Sequence, residues 1–217
     1  MLLNNEFNFQ YSFVFIFANM TVVAPFLTFP NIRWWTKIVE ADLLILDGGE
    51  HFEKMTCRNR YSISGANNPI LLTVPLVNGR NQHVQMKDVR IYNEDKWQIR
   101  HWRTLVSVYN RAPFFDHYAR SLEPIFEMHF DTLTDFNLTT LQWVKQQLRL
   151  KFDVQQTGVF VKDYPQEITD LRGGVPEGEQ QAKYRQIFED RIGFQKDLSI
   201  LDLLFSEGPA AVNWLKG

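Results

Sequence analysis

Two arginines separated by one residue, Arg58-Asn59-Arg60, are the first residues in this chain whose type and spacing suit chemistry. The run from Cys57 to Ile63 reads as a strand with partial alternation. Alternation puts Arg58, Arg60 and Ser62 on one face and Cys57, Asn59, Tyr61 and Ile63 on the other. Two guanidinium groups about 7 Å apart by strand geometry offer planar forks that match phosphate or carboxylate. Lys54 lies just upstream. The competing reading is an exposed strand face paired with Asp or Glu.

A second basic cluster follows Trp97. Arg100, Arg103 and Ser107 share a helix face, and Arg111 extends it. His101 lies on a neighbouring face, as a general base or as a boundary histidine satisfied locally. Glu50 and His51 follow Gly48-Gly49 at a strand end, a good position for an acid/base pair, although turns are polar in any case. Cys57 is the one cysteine. It reads either as a structural thiol or as a nucleophile activated by Arg58 and Arg60. The five histidines show no HxH or HExxH spacing, so no metal site is supported. No glycine-rich phosphate loop or GxSxG elbow occurs, and the sequence names no cofactor. Trp34, Trp35, Trp97, Trp102, Phe114, Phe115 and Tyr118 could form a platform for a sugar or base, with core packing as the default.

These residues need elements to position them. Thr21 to Ala24 is a short β-branched run suited to a central strand. Ile32 to Ala41 fits a helix with Trp35, Ile38 and Val39 on one face. Leu43 to Leu46 is a continuous apolar strand ending at Asp47-Gly48-Gly49. This is a βαβ-like opening, and ligands of such units sit beyond the carboxyl ends of the strands. Those ends are the Pro25–Pro30 and Asp47–His51 loops. Ile70 to Leu76 reads as a strand and Val84 to Ile91 as a weaker one.

From Trp97 the period becomes helical. Trp102, Leu105, Val106 and Tyr109 make one face, and Pro113 stops that helix. Phe115 to Met128 is a second helix containing Pro124. A third carries Leu138, Leu141, Val144 and Leu148, capped by Asn137 or Asp135. Lys162 to Gly178 is a long loop or mobile flap, the kind of segment that is often functional or disordered. A helix with Tyr184, Ile187, Phe188 and Ile192 follows, closed by Gly193. Ser199 to Phe205 is a short helix ended by Gly208, and Pro209 opens the last one. The fold class is mixed α/β, with a β-rich N-terminal half and a helical C-terminal half.

The bulk numbers fit one domain. The chain has 217 residues, 45% of them hydrophobic, which supports a real core. A net charge of −2 provides no global field for nucleic acid, so anion binding must come from a local cluster. The single cysteine fits a reducing compartment, and the expected location is the cytoplasm. Residues 7–18 are apolar, but Asn4, Asn5 and Glu6 replace a basic signal-peptide region. The unbroken core from Phe13 to Ala18 is too short for a membrane span. Residues 1–19 are therefore read as a leader outside the domain, from a start assigned upstream, and 20–217 as the domain. The alternatives are an extra strand or helix packed on the domain and, third, a membrane anchor.

Several motifs in order resemble the WbqC-like protein family. They are Thr28-Phe29-Pro30-Asn31-Ile32-Arg33-Trp34-Trp35, Ala41-Asp42 with the strand that follows, Glu53 to Arg60, Thr73-Val74-Pro75, His101-Trp102-Arg103-Thr104 with Tyr109 and Pro113-Phe114-Phe115, Leu133 with Asp135-Phe136-Asn137, and Leu198 to Phe205 with Glu207-Gly208-Pro209. The resemblance runs from about Thr21 to Leu215. Two positions depart from it. Ala24-Pro25-Phe26-Leu27 stands where many relatives carry His-Gln-Pro, and Cys57 replaces an aromatic residue. The resemblance implies a transferase of surface-polysaccharide or glycan biosynthesis, with glycyl transfer among the suggested reactions. The implied substrate is a small anionic or nucleotide-activated compound. Arg58, Arg60 and Arg103 would hold its phosphate or carboxylate, Asn59 would orient the acceptor, and Glu50, His51 or His101 would move the proton. Lys54, Trp102 and Tyr109, in the same motifs, complete the candidate ligand-binding set. A non-catalytic binding protein for an anionic metabolite or partner is the alternative.

Overall fold

The computed structural model describes residues 20–79, 83–175 and 181–217. The leader read over 1–19 lies outside the described residues. Strand β1 (Thr21–Pro25) and strand β2 (Leu43–Asp47) are buried along their whole length. They pair in parallel from Thr21↔Leu43 to Pro25↔Asp47. Between them lies helix α1 (Ile32–Ile38), whose cap Asn31 accepts a hydrogen bond from Trp34 N at 2.9 Å. The helix ends before Ala41 because the chain must turn back, and Asp42 N donates to Met20 O to start the pairing.

The helical second half is present, but it also returns two strands to the sheet. Strand β5 (Asp153–Thr157) pairs in parallel with β2, and strand β6 (Thr169–Asp170) with β1. The order is β5-β2-β1-β6. Neither strand stands out in the sequence. β5 reads DVQQT, a half-exposed edge with little apolar signal, and β6 is two residues long.

A separate antiparallel pair is formed by β3 (Arg60–Ile63) and β4 (Ile70–Thr73). The Cys57 strand therefore begins only at Arg60, so Arg58 and Arg60 do not share a strand face. Val84 to Ile91 is not a strand. It holds a 3-10 turn at Met86–Asp88 between isolated bridges, because Met86 and Val89 turn into the core.

Helices α2 (Trp97–Tyr109), α3 (Phe115–Glu127) and α4 (Leu133–Gln147) follow. The buried stripe of α2 is Trp97, His101, Leu105, Val108 and Tyr109, rotated so that Trp102 and Val106 flank it. Helix α3 continues through Pro124 to Glu127. The cap of α4 is Thr132, which accepts from Asp135 N at 3.1 Å, and this frees Asn137 to lie inside. The expected helix from Tyr184 shrinks to α5 (Glu189–Ile192). The Gln186 side chain donates to Gln195 O and accepts from Gln195 N, which ties the two ends of the segment that holds α5. Helices α6 (Ile200–Glu207) and α7 (Ala211–Lys216) close the fold.

One face of the sheet, carrying Val22, Ala24, Leu44 and Leu46, packs into the main core. The opposite face, with Val23, Leu43 and Ile45, is covered by Tyr164 and Ile168. The segment read as a flap thus begins as a cover for the sheet. Its residues 176–178 lie outside the described residues. Among the described residues no helix is long and apolar enough to cross a membrane.

Candidate functional site

The parallel strands point their carboxyl ends into one region. Two adjoining hollows lie there, of about 270 and 480 Å3, both lined by Glu53, Arg58, Arg172 and Gly173. The smaller reaches Pro25 at the end of β1 and Leu171 after β6. These strands neighbour each other where the connections diverge to opposite sides, which is where ligands settle in open α/β sheets.

Local rules fix the walls. Asp47 ends β2 fully buried, and its Oδ1 accepts from Gly49 N at 3.0 Å and Glu50 N at 3.2 Å. A Cβ on Gly49 would lie 2.1 Å from Phe160 N, so only glycine lets the loop after β5 rest there. Arg172 clamps the same junction. Its Nη1 donates to Asp47 Oδ2 at 2.9 Å and to Val161 O, its Nη2 to Lys162 O and Asp170, and its Nε to Asp170. All five N–H donors are used. The bonds to Asp170 and Asp47 raise its pKa and keep it charged. Arg172 is a rivet between loops.

Arg58 is different. Its backbone is set by two buried residues: Thr28 N donates to Cys57 O at 2.9 Å, and Asn137 Nδ2 donates to Arg58 O at 2.9 Å. The Thr28 hydroxyl lies 2.8 Å from Arg58 O and 2.6 Å from Asn137 Oδ1, and its one proton serves one of them. The guanidinium is bound along one edge by Glu50, Nε to Oε1 at 3.0 Å and Nη2 to Oε2 at 2.9 Å. Both side chains are buried, 4% and 7% exposed. Nη1 donates to Glu53 at 2.9 Å and Thr56 at 3.2 Å, and Glu53 is 65% exposed. Burial raises the Glu50 pKa, and the bonds from Arg58 pull against that rise.

The other sequence candidates divide three ways. His51 is exposed and lines the larger hollow with Glu50 and Arg58. Lys54 and Arg103 are exposed, Lys54 beside Glu53 and Arg103 on α2, and neither is among the residues lining the two hollows. The remaining candidates are built into the protein. Asn59 is buried and donates to Val74 O. Trp102 stacks on Phe115 and Phe126. Arg60 is half-buried at the start of β3, with an Nε that has no hydrogen-bond partner. Tyr109 donates to Asp202 at 2.6 Å and accepts from Ser64 N.

His101 is held between Tyr61 OH at Nδ1, 3.1 Å, and Thr73 O at Nε2, 3.2 Å. Thr73 O can only accept, so Nε2 carries the proton and Nδ1 accepts from the tyrosine. Burial, helped by Arg100, lowers its pKa to about 4. It is a neutral core histidine with aromatic neighbours Trp97 and Phe126. Burial followed by Asp197 raises the Cys57 thiol pKa, although the residue as a whole is exposed, and this disfavours a thiolate.

Arg172 and Phe160 are the site residues that the sequence did not single out. The available signal was Arg172-Gly173-Gly174 inside a long loop. Among the described residues no group of three or more His, Cys, Asp or Glu is placed to hold a metal ion. Residues 27–169 match the model of the WbqC-like protein family. The motif from Leu198 to Pro209 lies outside that range. No curated protein and no solved structure matches the chain.

Proposed function

Since the chain belongs to the WbqC-like protein family, we propose that it is a transferase of glycan or surface-polysaccharide biosynthesis, with the anionic group of an activated donor held on Arg58. The carrying observation is the unequal pairing of Arg58. Glu50 fills one edge of the fork and is buried with it. The other edge is met at Nη1 by an exposed carboxylate, and the second Nη2 proton takes none of the hydrogen bonds among the described residues. Breaking a pair buried on both sides costs about 3–5 kcal/mol, whereas Glu53 is re-solvated when it leaves, which moves its pair with the buried Arg58 toward the roughly 0.2–1 kcal/mol of exposed pairs. An arriving anion therefore displaces Glu53 and leaves Glu50 in place.

The chemistry follows from that placement. An acceptor hydroxyl or amine attacks the activated carbon of the donor. The bond to the leaving phosphate or carboxylate breaks, and the electron pair stays with the leaving group. Arg58 stabilises the charge growing there, and His51 takes the acceptor's proton. A binding protein for an anionic metabolite is the second reading. It is favoured by Ala24-Pro25-Phe26-Leu27, which supplies no histidine at the end of β1.

The test uses inorganic phosphate in isothermal titration and activated sugars or aminoacyl donors in product analysis by mass spectrometry. Glu53→Gln is expected to tighten phosphate binding up to about fivefold, and Arg58→Lys, which keeps the charge but loses the fork, to weaken it. Equal affinity in all three proteins would refute the clamp. Phosphate binding without product from any donor would favour the binding protein.

A further inference from the structure

Phe160 is the large apolar side chain lining the larger hollow, and the fold leaves its ring half open. It is 50% exposed, follows Val159 at 59%, and lines the larger hollow with Arg58 and His51. An apolar ring left open beside charged groups gains nothing from the core. Nor is the ring loosely held. Its backbone rests on Gly49, and its face lies 5.2 Å from the Arg172 guanidinium carbon. That guanidinium also lies over Tyr164 at 4.9 Å, and all its donors are engaged. Phe160 is thus backed by a fixed planar cation, and rigid aromatic faces of this type suit stacking.

We propose that Phe160 is the platform for a flat ring, a nucleobase, joined to the anion that Arg58 holds. The inference rests on the anion reading of Arg58 and adds the ligand class: a nucleotide or nucleotide-activated compound. A hollow of about 480 Å3 falls in the size range of small-molecule sites. A base fits the wall better than a sugar ring. A sugar brings several hydroxyls that need partners, but on the side of the hollow where the Phe160 ring stands, the lining residues Arg172 and Asp170 already satisfy each other. A base presents a π-face to Phe160 whatever its edge pattern.

The experiment compares AMP, ribose 5-phosphate and glucose 1-phosphate by isothermal titration on the full chain, with Phe160→Ala and Phe160→Trp. Stacking of about 1–3 kcal/mol per base predicts that AMP binds the wild type about tenfold tighter than ribose 5-phosphate. That ratio should fall to about one in F160A and persist in F160W. An unchanged ratio in F160A, or no preference in the wild type, overturns the platform while ribose 5-phosphate binding leaves the Arg58 reading standing. A Phe160-dependent gain for glucose 1-phosphate with none for AMP assigns the ring to a sugar and overturns the nucleobase. If none of the three binds, the Arg58 reading falls and the platform with it.

Discussion

Replacing His101 with glutamine should tilt the pH dependence of stability by a predictable amount. Glutamine can keep both contacts, accepting from Tyr61 OH and donating to Thr73 O, but it cannot titrate. His101 has an ordinary pKa of 6.5, and in the folded protein about 4. Its contribution to stability is present above pH 6.5 and is lost as pH falls through about 4, because the unfolded chain takes up the proton first. The difference corresponds to about 3 kcal/mol.

Asp202 acts in the opposite sense. Burial raises its pKa from 3.8 to about 6, against the hydroxyls that Tyr109 and Tyr184 donate. Its contribution is full below pH 3.8 and is lost as pH rises through about 6, again about 3 kcal/mol. Between pH 6.5 and 4 the two slopes nearly cancel in the wild type. Relative to the wild type, His101→Gln should therefore gain about 3 kcal/mol over that fall in pH, and Asp202→Asn should lose about as much. Urea unfolding at several pH values, followed by tryptophan fluorescence, measures this. Other groups titrate in all three proteins and drop out of the differences, and a constant offset does not matter. A His101→Gln difference that does not change with pH would refute the buried, neutral histidine.

Two further outcomes test how the cleft is held. Asn137→Ala removes the amide that fixes the Arg58 carbonyl and is expected to destabilise by about 2 kcal/mol. Phosphate affinity should weaken with it, and a variant that loses stability but binds phosphate as the wild type does would separate Asn137 from Arg58. Gly49→Ala places a methyl against the Phe160 backbone and should cost about 3 kcal/mol. An unfolding midpoint equal to wild type would show that the loop after β5 does not rest on Gly49.

The parts of the fold most legible in the sequence are those whose burial is one-dimensional. TVVAP and LLILD are buried at every position, so a short apolar run suffices to mark them. β5 and β6 escaped because a partner strand, and not their own side chains, makes them strands. Asn137 looked like a helix cap because asparagine favours caps. Thr132 satisfied the helix end first, which let the amide serve a chain segment 79 residues away. His101 shows the same limit: helical spacing put it beside the apolar stripe, and the rotation of α2 put it inside.

The arginines carry the most instructive difference. Sequence spacing presented Arg58 and Arg60 as equal partners on a strand face. Strand pairing begins at Arg60, so Arg58 stays in the preceding turn and meets Glu50 and Glu53. That pairing does not argue against ligand binding. An unpaired guanidinium this deeply buried would be strongly destabilising, so a buried anion site in the ligand-free protein needs a resident carboxylate. What distinguishes a binding arginine from a structural one is whether a partner can leave cheaply. Arg172 has both oxygens of Asp170, a neighbour in its own chain segment, together with Asp47 and two carbonyls. Releasing it would undo the loop that carries Phe160. Arg58 can surrender Glu53 to water and keep Glu50, so in the proposed function two arginines on one cleft divide the work: one fixes the wall and the other is the one to meet an anion.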